Sequence, residues 1–189
     1  MVFTAHIGTP LNLRMLARRC HGRVDFNPHK FASAIFRSPY PKTTTLLFST
    51  GRIVITGCRR RWCAAISLSM IVKMLVEIHI PVMYRRISLQ NVVGSVDIGE
   101  AIDNDYLASR MQENGSYELG LFPGLVWRPT GTKATILCFT SGKMVITGCR
   151  TESEIEETQA LVEELRATSG ERDSADTAVH KYARRMPLA

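Results

Sequence analysis

Acidic residues are scarce in the first half of this 189-residue chain: up to residue 91 only Asp25 and Glu77 oppose fourteen Lys or Arg. Residues 92–169 reverse the balance, with twelve acids against six cations. A contact with a polyanion is therefore expected on one half and a different surface on the other. No apolar run is long enough to cross a membrane. The opening MVFTAHIGTP lacks the basic, apolar and small-residue zones of a secretory signal. No CxxC pair occurs among Cys20, Cys58, Cys63, Cys138 and Cys149, and their odd number argues for reduced thiols in a cytosolic or nuclear protein. Cys20 beside His21 is a candidate half of a metal site, but a second pair at zinc-like spacing is missing, so no metal and no cofactor are expected. Paired carboxylates and an activated nucleophile are likewise missing, and the chain does not read as an enzyme.

An internal repeat is what the chain does have. Placing residue n over n+91 aligns residues 1–59 with 92–150 without a gap and with 19 identities. The densest match sets LLFSTGRIVITGCR (46–59) over LCFTSGKMVITGCR (137–150), and Arg37 falls on Arg128, Phe31 on Phe122. The expected domains are residues 1–90, a second copy at 91–169, and a charged, flexible tail at 170–189. Two copies suggest a pseudo-twofold molecule rather than a solenoid.

Each copy opens on a strand (2–7; 92–98) and a short helix (11–19; 102–110). A hairpin follows, 43–48 with 53–56 and 134–139 with 144–147, each turning through a glycine. A longer helix closes each copy. The first spans about 61–77, with Pro81 beyond it; the second spans about 152–167, with Ile155, Leu161, Val162 and Leu165 as its buried stripe. The expected class is α+β: an antiparallel sheet with helices on one face and the other face uncovered.

Alternation puts Leu46, Phe48, Val54 and Thr56 on one side of the first hairpin, and Leu137, Phe139, Val145 and Thr147 on one side of the second. Paired cations surround them: Arg37/Arg128, Lys42/Lys133, Arg52/Lys143 and Arg59/Arg150. An apolar floor with a basic rim suits a DNA minor groove, whose sugar edges are apolar and whose walls are phosphates. The same pattern reads equally well as core strand plus turn, with the phenylalanines buried under the helices.

In order and at constant spacing, FNPHKFASAIFR, TTTLLFSTGRIVITGCR, NVVGSV, SYELGLFPGLVWR and ILCFTSGKMVITGCR resemble the core domain of TATA-box-binding proteins over roughly residues 1–167. The resemblance implies two pseudo-symmetric repeats forming a saddle-shaped, curved antiparallel sheet of ten strands, with four helices on its convex side. It also implies a general transcription initiation factor that binds and bends TATA-like promoter DNA and nucleates a preinitiation complex, in the nucleus of a eukaryote. Phe31, Phe48, Phe122 and Phe139 would be the wedges between base steps, a device for which this family is itself the standing example. Asn91, Thr56 and Thr147 would bond base edges, and Val2, Val93, Leu46, Leu137, Val54, Val145 and Pro123 would pack on bases and sugars. Lys30 would join the paired cations on phosphates.

Departures from the family pattern accompany these matches. The repeat mate of Asn91 would precede Met1, so either the start is short or recognition near the dyad is one-sided. Glu118 and Leu121 stand where the family binds transcription factor IIB, but the second acid position is Gly120. The helix after the first repeat, basic in typical members and used there on transcription factor IIA, is mostly apolar. Either a permanent partner or a divergent binding mode is expected on it, against poor solubility of a divergent chain. An interaction scaffold with weakened promoter recognition is the alternative function.

Overall fold

The computed structural model describes residues 1–83, 86–111 and 114–169, and the side chains of residues 164–169 are not among what is described. The expected tail and the Leu165 side chain lie outside the described residues. The chain divides into two compact units, Met1–Asn91 and Val92 onward.

The first unit contains β1 (Val2–His6), α1 (Leu13–Arg19), β2 (Val24–Asp25), β3 (Ala34–Ser38), β4 (Thr43–Leu47), β5 (Arg52–Thr56) and α2 (Arg61–Glu77). The strand β6 (Ser88–Asp97) runs from one unit into the next. The second unit continues with α3 (Asn104–Met111), β7 (Gly115–Ser116), β8 (Leu125–Trp127), β9 (Thr135–Cys138), β10 (Lys143–Cys149) and α4 (Glu152–Ser169). All pairings are antiparallel, in the order β2-β3-β4-β5-β1-β6-β10-β9-β8-β7. Within this order, Ser88, Leu89 and Asn91 pair with β1, while Val92 and Gly94–Asp97 pair with β10.

Strand alternation decides what is buried. In the first unit Phe3, Ala5, Phe36, Leu47, Ile53 and Ile55 join Leu13 and Leu16 of α1 and Leu68, Ile71, Met74 and Leu75 of α2 in one core. In the second, Leu125, Ile136, Cys138, Met144 and Ile146 are buried, together with Met111 of α3 and Val162 of α4. Ile155 and Leu161 of the expected stripe are only half-buried. All five cysteines are buried and unbridged. Burial pushes the Cys138 thiol up to about 12, so it carries no thiolate at neutral pH.

Element ends differ from the sequence reading for local reasons. The short helices α1 and α3 begin two residues later than expected. Leu11 and Ile102 donate their backbone N–H groups to Ser49 O (2.8 Å) and Thr140 O (3.0 Å) of the hairpin loops. The carboxamide of Asn12 then accepts from Met15 N (3.0 Å), and its repeat mate Asp103 accepts from Tyr106 N (3.0 Å). The helix α4 starts on a side-chain cap: Thr151 Oγ1 accepts from Glu154 N (3.1 Å), and Glu154 Oε2 accepts from Arg150 N (2.7 Å), one residue before the cap. The helix α2 stops before Pro81 exerts any effect, because His79 turns left-handed (φ 60°) and Ile80 N bonds Leu75 O (2.9 Å). Its composition suggested burial all round, yet only one side is covered, and Trp62, Ile66 and Val76 are exposed.

The two sides of one strand should respond differently to truncation. Ile55→Ala is expected to cost about 2–5 kcal/mol, and Val54→Ala less than about 1 kcal/mol. Urea denaturation of both variants checks this; equal losses would contradict the assigned core side.

Candidate nucleic-acid interface

The uncovered side of each unit carries a cross-strand row of side chains. In the first, backbone register aligns Asp25, Ile35, Leu46, Val54, Thr4 and Ser88. In the second it aligns Ser116, Val126, Leu137, Val145 and Ser95. Five members of each row are repeat mates at the offset of 91, from 25/116 to 4/95. A neighbouring row sets Arg37, Thr44 and Thr56 in register, matched by Thr135 with Thr147. Leu46, Val54, Thr56, Leu137, Val145 and Thr147 are all half-buried, the state of side chains on a face that no helix covers. Val2 pairs with Asn91 and both are half-buried, and Val93 is exposed.

Phe31, Phe48, Phe122 and Phe139 do not enter either core. Phe48 and Phe139 stand at the mouths of the hairpins, where Phe48 N donates to Arg52 O (3.0 Å) and Phe139 N to Lys143 O (2.9 Å). Each turn closes on a glycine at φ 85°, Gly51 or Gly142. A side chain there would also run into the carbonyl of Thr9 or Glu100. Phe31 and Phe122 follow matched turns in which their N–H groups donate to Asn27 O (3.0 Å) and Glu118 O (2.9 Å). The rings of Phe122 and Phe139 touch, with centroids 5.9 Å apart.

Lys30, Arg37, Lys42, Arg52, Arg59, Arg128, Lys133, Lys143 and Arg150 are all exposed, as the rim of a polyanion site must be. Arg37 is already engaged, its Nη1 lying 2.7 Å from Asp25 Oδ2. The pair is solvated and worth about 0–1 kcal/mol, but it withholds one cation in the first unit. At the mate of Asp25 the second unit has Ser116, which leaves Arg128 without that carboxylate. Glu118, Gly120 and Leu121 lie exposed on the loop before Phe122, with Leu121 82% exposed.

Sequence reasoning missed Asp25, Ile35, Val126, Thr44, Thr135, Thr4 and Ser95 on this face. Ile35 and Val126 were within reach, since each lies two residues before a paired arginine and so points the same way. The metal idea at Cys20 gains no support: that thiol is buried while His21 is exposed. Among the described residues no group of three His, Cys, Asp or Glu could hold a metal, and no helix is long and apolar enough to cross a membrane.

Comparison with known proteins accounts for this arrangement. Residues 1–78 and 86–166 match the profile of the family described as "Transcription factor TFIID (or TATA-binding protein, TBP)". The chain belongs to the TATA-binding-protein family. It is 35% identical over 155 residues to TATA-box-binding proteins of Tetrahymena thermophila and Acetabularia peniculus. These matches cover 82% of this chain, 63% of the Tetrahymena protein and 81% of the Acetabularia protein, so the chain spans under two thirds of the former. The solved structure of the Methanococcus jannaschii protein superposes with a TM-score of 0.71 at 31% identity, covering 85% of this chain and 91% of that one. The family consists of DNA-binding transcription factors, not enzymes, and the fold is its open antiparallel sheet of ten strands with four helices.

Releasing the engaged cation should strengthen DNA binding. Asp25→Asn is expected to raise affinity for duplex DNA severalfold at low salt and to steepen the log–log salt dependence by about one. Fluorescence anisotropy across a salt series measures both, and an unchanged slope would mean that Arg37 makes no phosphate contact.

Proposed function

We propose that this chain is a transcription initiation factor that grips A·T-rich promoter DNA through the minor groove, bends it, and nucleates a preinitiation complex, in the nucleus if its source is eukaryotic. The observation that carries the reading is the pairing of two uncovered apolar rows, each flanked by two phenylalanines outside the core. Leu46, Val54, Leu137, Val145, Val2 and Val93 would lie on sugars and bases, with Pro123 beside the Phe122 wedge. Asn91, Thr56 and Thr147 would bond minor-groove acceptors. The nine exposed cations would meet phosphates, and the four phenylalanines would open two base steps. Discrimination then follows A·T content and deformability rather than exact sequence.

Glu118 and Leu121, on an exposed loop, support a transcription factor IIB-like partner, with Gly120 removing one acid from that contact. The exposed Trp62, Ile66 and Val76 of α2 favour an apolar partner there over a standard transcription factor IIA-like one. They also motivate the second reading, an interaction scaffold with altered promoter recognition.

A duplex with a central TATA element and a dye at each end should show increased FRET on binding. Equal binding to a G·C-rich duplex at physiological salt, or no bending, would sink the initiation-factor reading in favour of the scaffold. Replacing Phe122 and Phe139 together by Ala is expected to reduce bending more than nonspecific affinity. Arg128→Ala should weaken binding to all sequences and lower the salt slope by about one.

A further inference from the structure

The two wedge pairs are not in the same state: the rings of Phe122 and Phe139 are in contact, while Phe31 is 47% exposed. In the second unit Phe122 lies against Phe139 over Gly124. A Cβ added at Gly124 would come within 2.9 Å of Phe122 Cε1, 3.3 Å of Phe139 Cδ1 and 3.0 Å of Cys138 O. The ring therefore occupies space that only a glycine leaves free. The repeat mate of Gly124 is Ser33. Ser33 is 1% exposed and carries a Cβ and a hydroxyl where Gly124 has only a hydrogen. Its hydroxyl has no hydrogen-bond partner among the described residues, so packing rather than bonding is what this side chain contributes. Phe31, the mate of Phe122, is 47% exposed. Among the described residues Phe122 and Phe139 form a ring contact, and Phe31 and Phe48 do not. Phe31 and Ser33 instead border an open cavity of about 580 Å³, which His21, Phe26, Ile35 and Arg37 also line.

We propose that Ser33 and Gly124 set the two wedges apart: Gly124 seats Phe122 on Phe139 before DNA arrives, and Ser33 holds Phe31 off the equivalent seat on Phe48. The second unit's wedge is then preorganised, and the first unit's must be ordered during insertion. Ordering a free aromatic side chain costs part of the binding energy that a preset one keeps. The end of the element gripped by the second unit is accordingly the one opened first and held more tightly. The DNA consequence rests on the minor-groove reading above; the difference in ring seating does not.

Reciprocal substitutions separate the two. Gly124 is not among the glycines with positive φ, so a serine there tests the side chain and not the backbone. In DNA-free protein, aromatic NOEs should link Phe122 with Phe139 but not Phe31 with Phe48. Ser33→Gly should create the Phe31–Phe48 NOE, and Gly124→Ser should abolish the other. On a TATA duplex, Ser33→Gly should tighten binding and Gly124→Ser weaken it, each by about two- to tenfold, the range of an aromatic pair. The buried Ile55 and Ile146, one in each core, serve as folding reporters, since their methyl shifts should stay unchanged in both variants. Unmoved NOEs in the two folded variants would overturn the seating. Shifted NOEs with unchanged DNA affinity and bend would overturn its role in insertion. If wild-type protein binds no duplex, the minor-groove reading fails while the NOEs still decide the seating.

Discussion

Strand alternation under a one-sided helical cover is the constraint on which the rest of the molecule depends. Leu47, Ile53 and Ile55 in the first unit, and Ile136, Met144 and Ile146 in the second, must be removed from water, and the helices bury them. Successive side chains of a strand point to opposite faces. Leu46 and Val54, Leu137 and Val145 are consequently left outward with no helix to meet. Apolar surface of this kind is unfavourable in water and becomes favourable against the sugar edges of a groove. The fold thus produces the candidate interface as the complement of its own core.

Duplication doubles this face but does not make the two copies electrostatically equal. Asp25 binds Arg37 in the first unit where Ser116 stands in the second, and His6 of the first corresponds to Asp97. Both residues at that last position do the same local work, accepting the N–H of Gly8 or Gly99 (2.9 and 3.0 Å), so the turn is the same while an imidazole is exchanged for a carboxylate. The helices diverge further. In α4 the Thr151 cap satisfies Glu154 N, and an acid-rich first turn suits the helix dipole. In α2 the first turn has no acid, Arg60 makes no side-chain cap, and stability rests on the seven residues it buries. Exposed Trp62 stacks instead near Tyr40, with ring centroids 6.5 Å apart.

Much of the fold was legible because duplication tests every element twice. The two hairpins and the outward placement of Leu46, Val54, Leu137 and Val145 follow from periodicity checked at an offset of 91, and the span of α2 from its long apolar run. The open choice over the phenylalanines was not resolvable that way. Phe48 and Phe139 share a strand side with the outward leucines, yet only the turn hydrogen bonds and the ring contact show them outside the cores. The early start of β6 at Ser88 was hidden as well, since residues 88–91 have no repeat mates and become strand only by pairing with β1. Asp25 escaped notice because β2 is two residues long, too short for any alternation to register.

By itself the sequence determined the duplication, the class of secondary structure, the family, and which residue types stand at the rim and floor of the candidate site. Those properties are local or follow from comparing one segment with another. Tertiary structure alone decided that Asp25 reaches Arg37, that Trp62, Ile66 and Val76 of α2 face outward, and that the rings of Phe122 and Phe139 meet beside Gly124. Each of these depends on how strands, turns and helices are brought against one another, and close packing makes such distances matter at the scale of a single methylene.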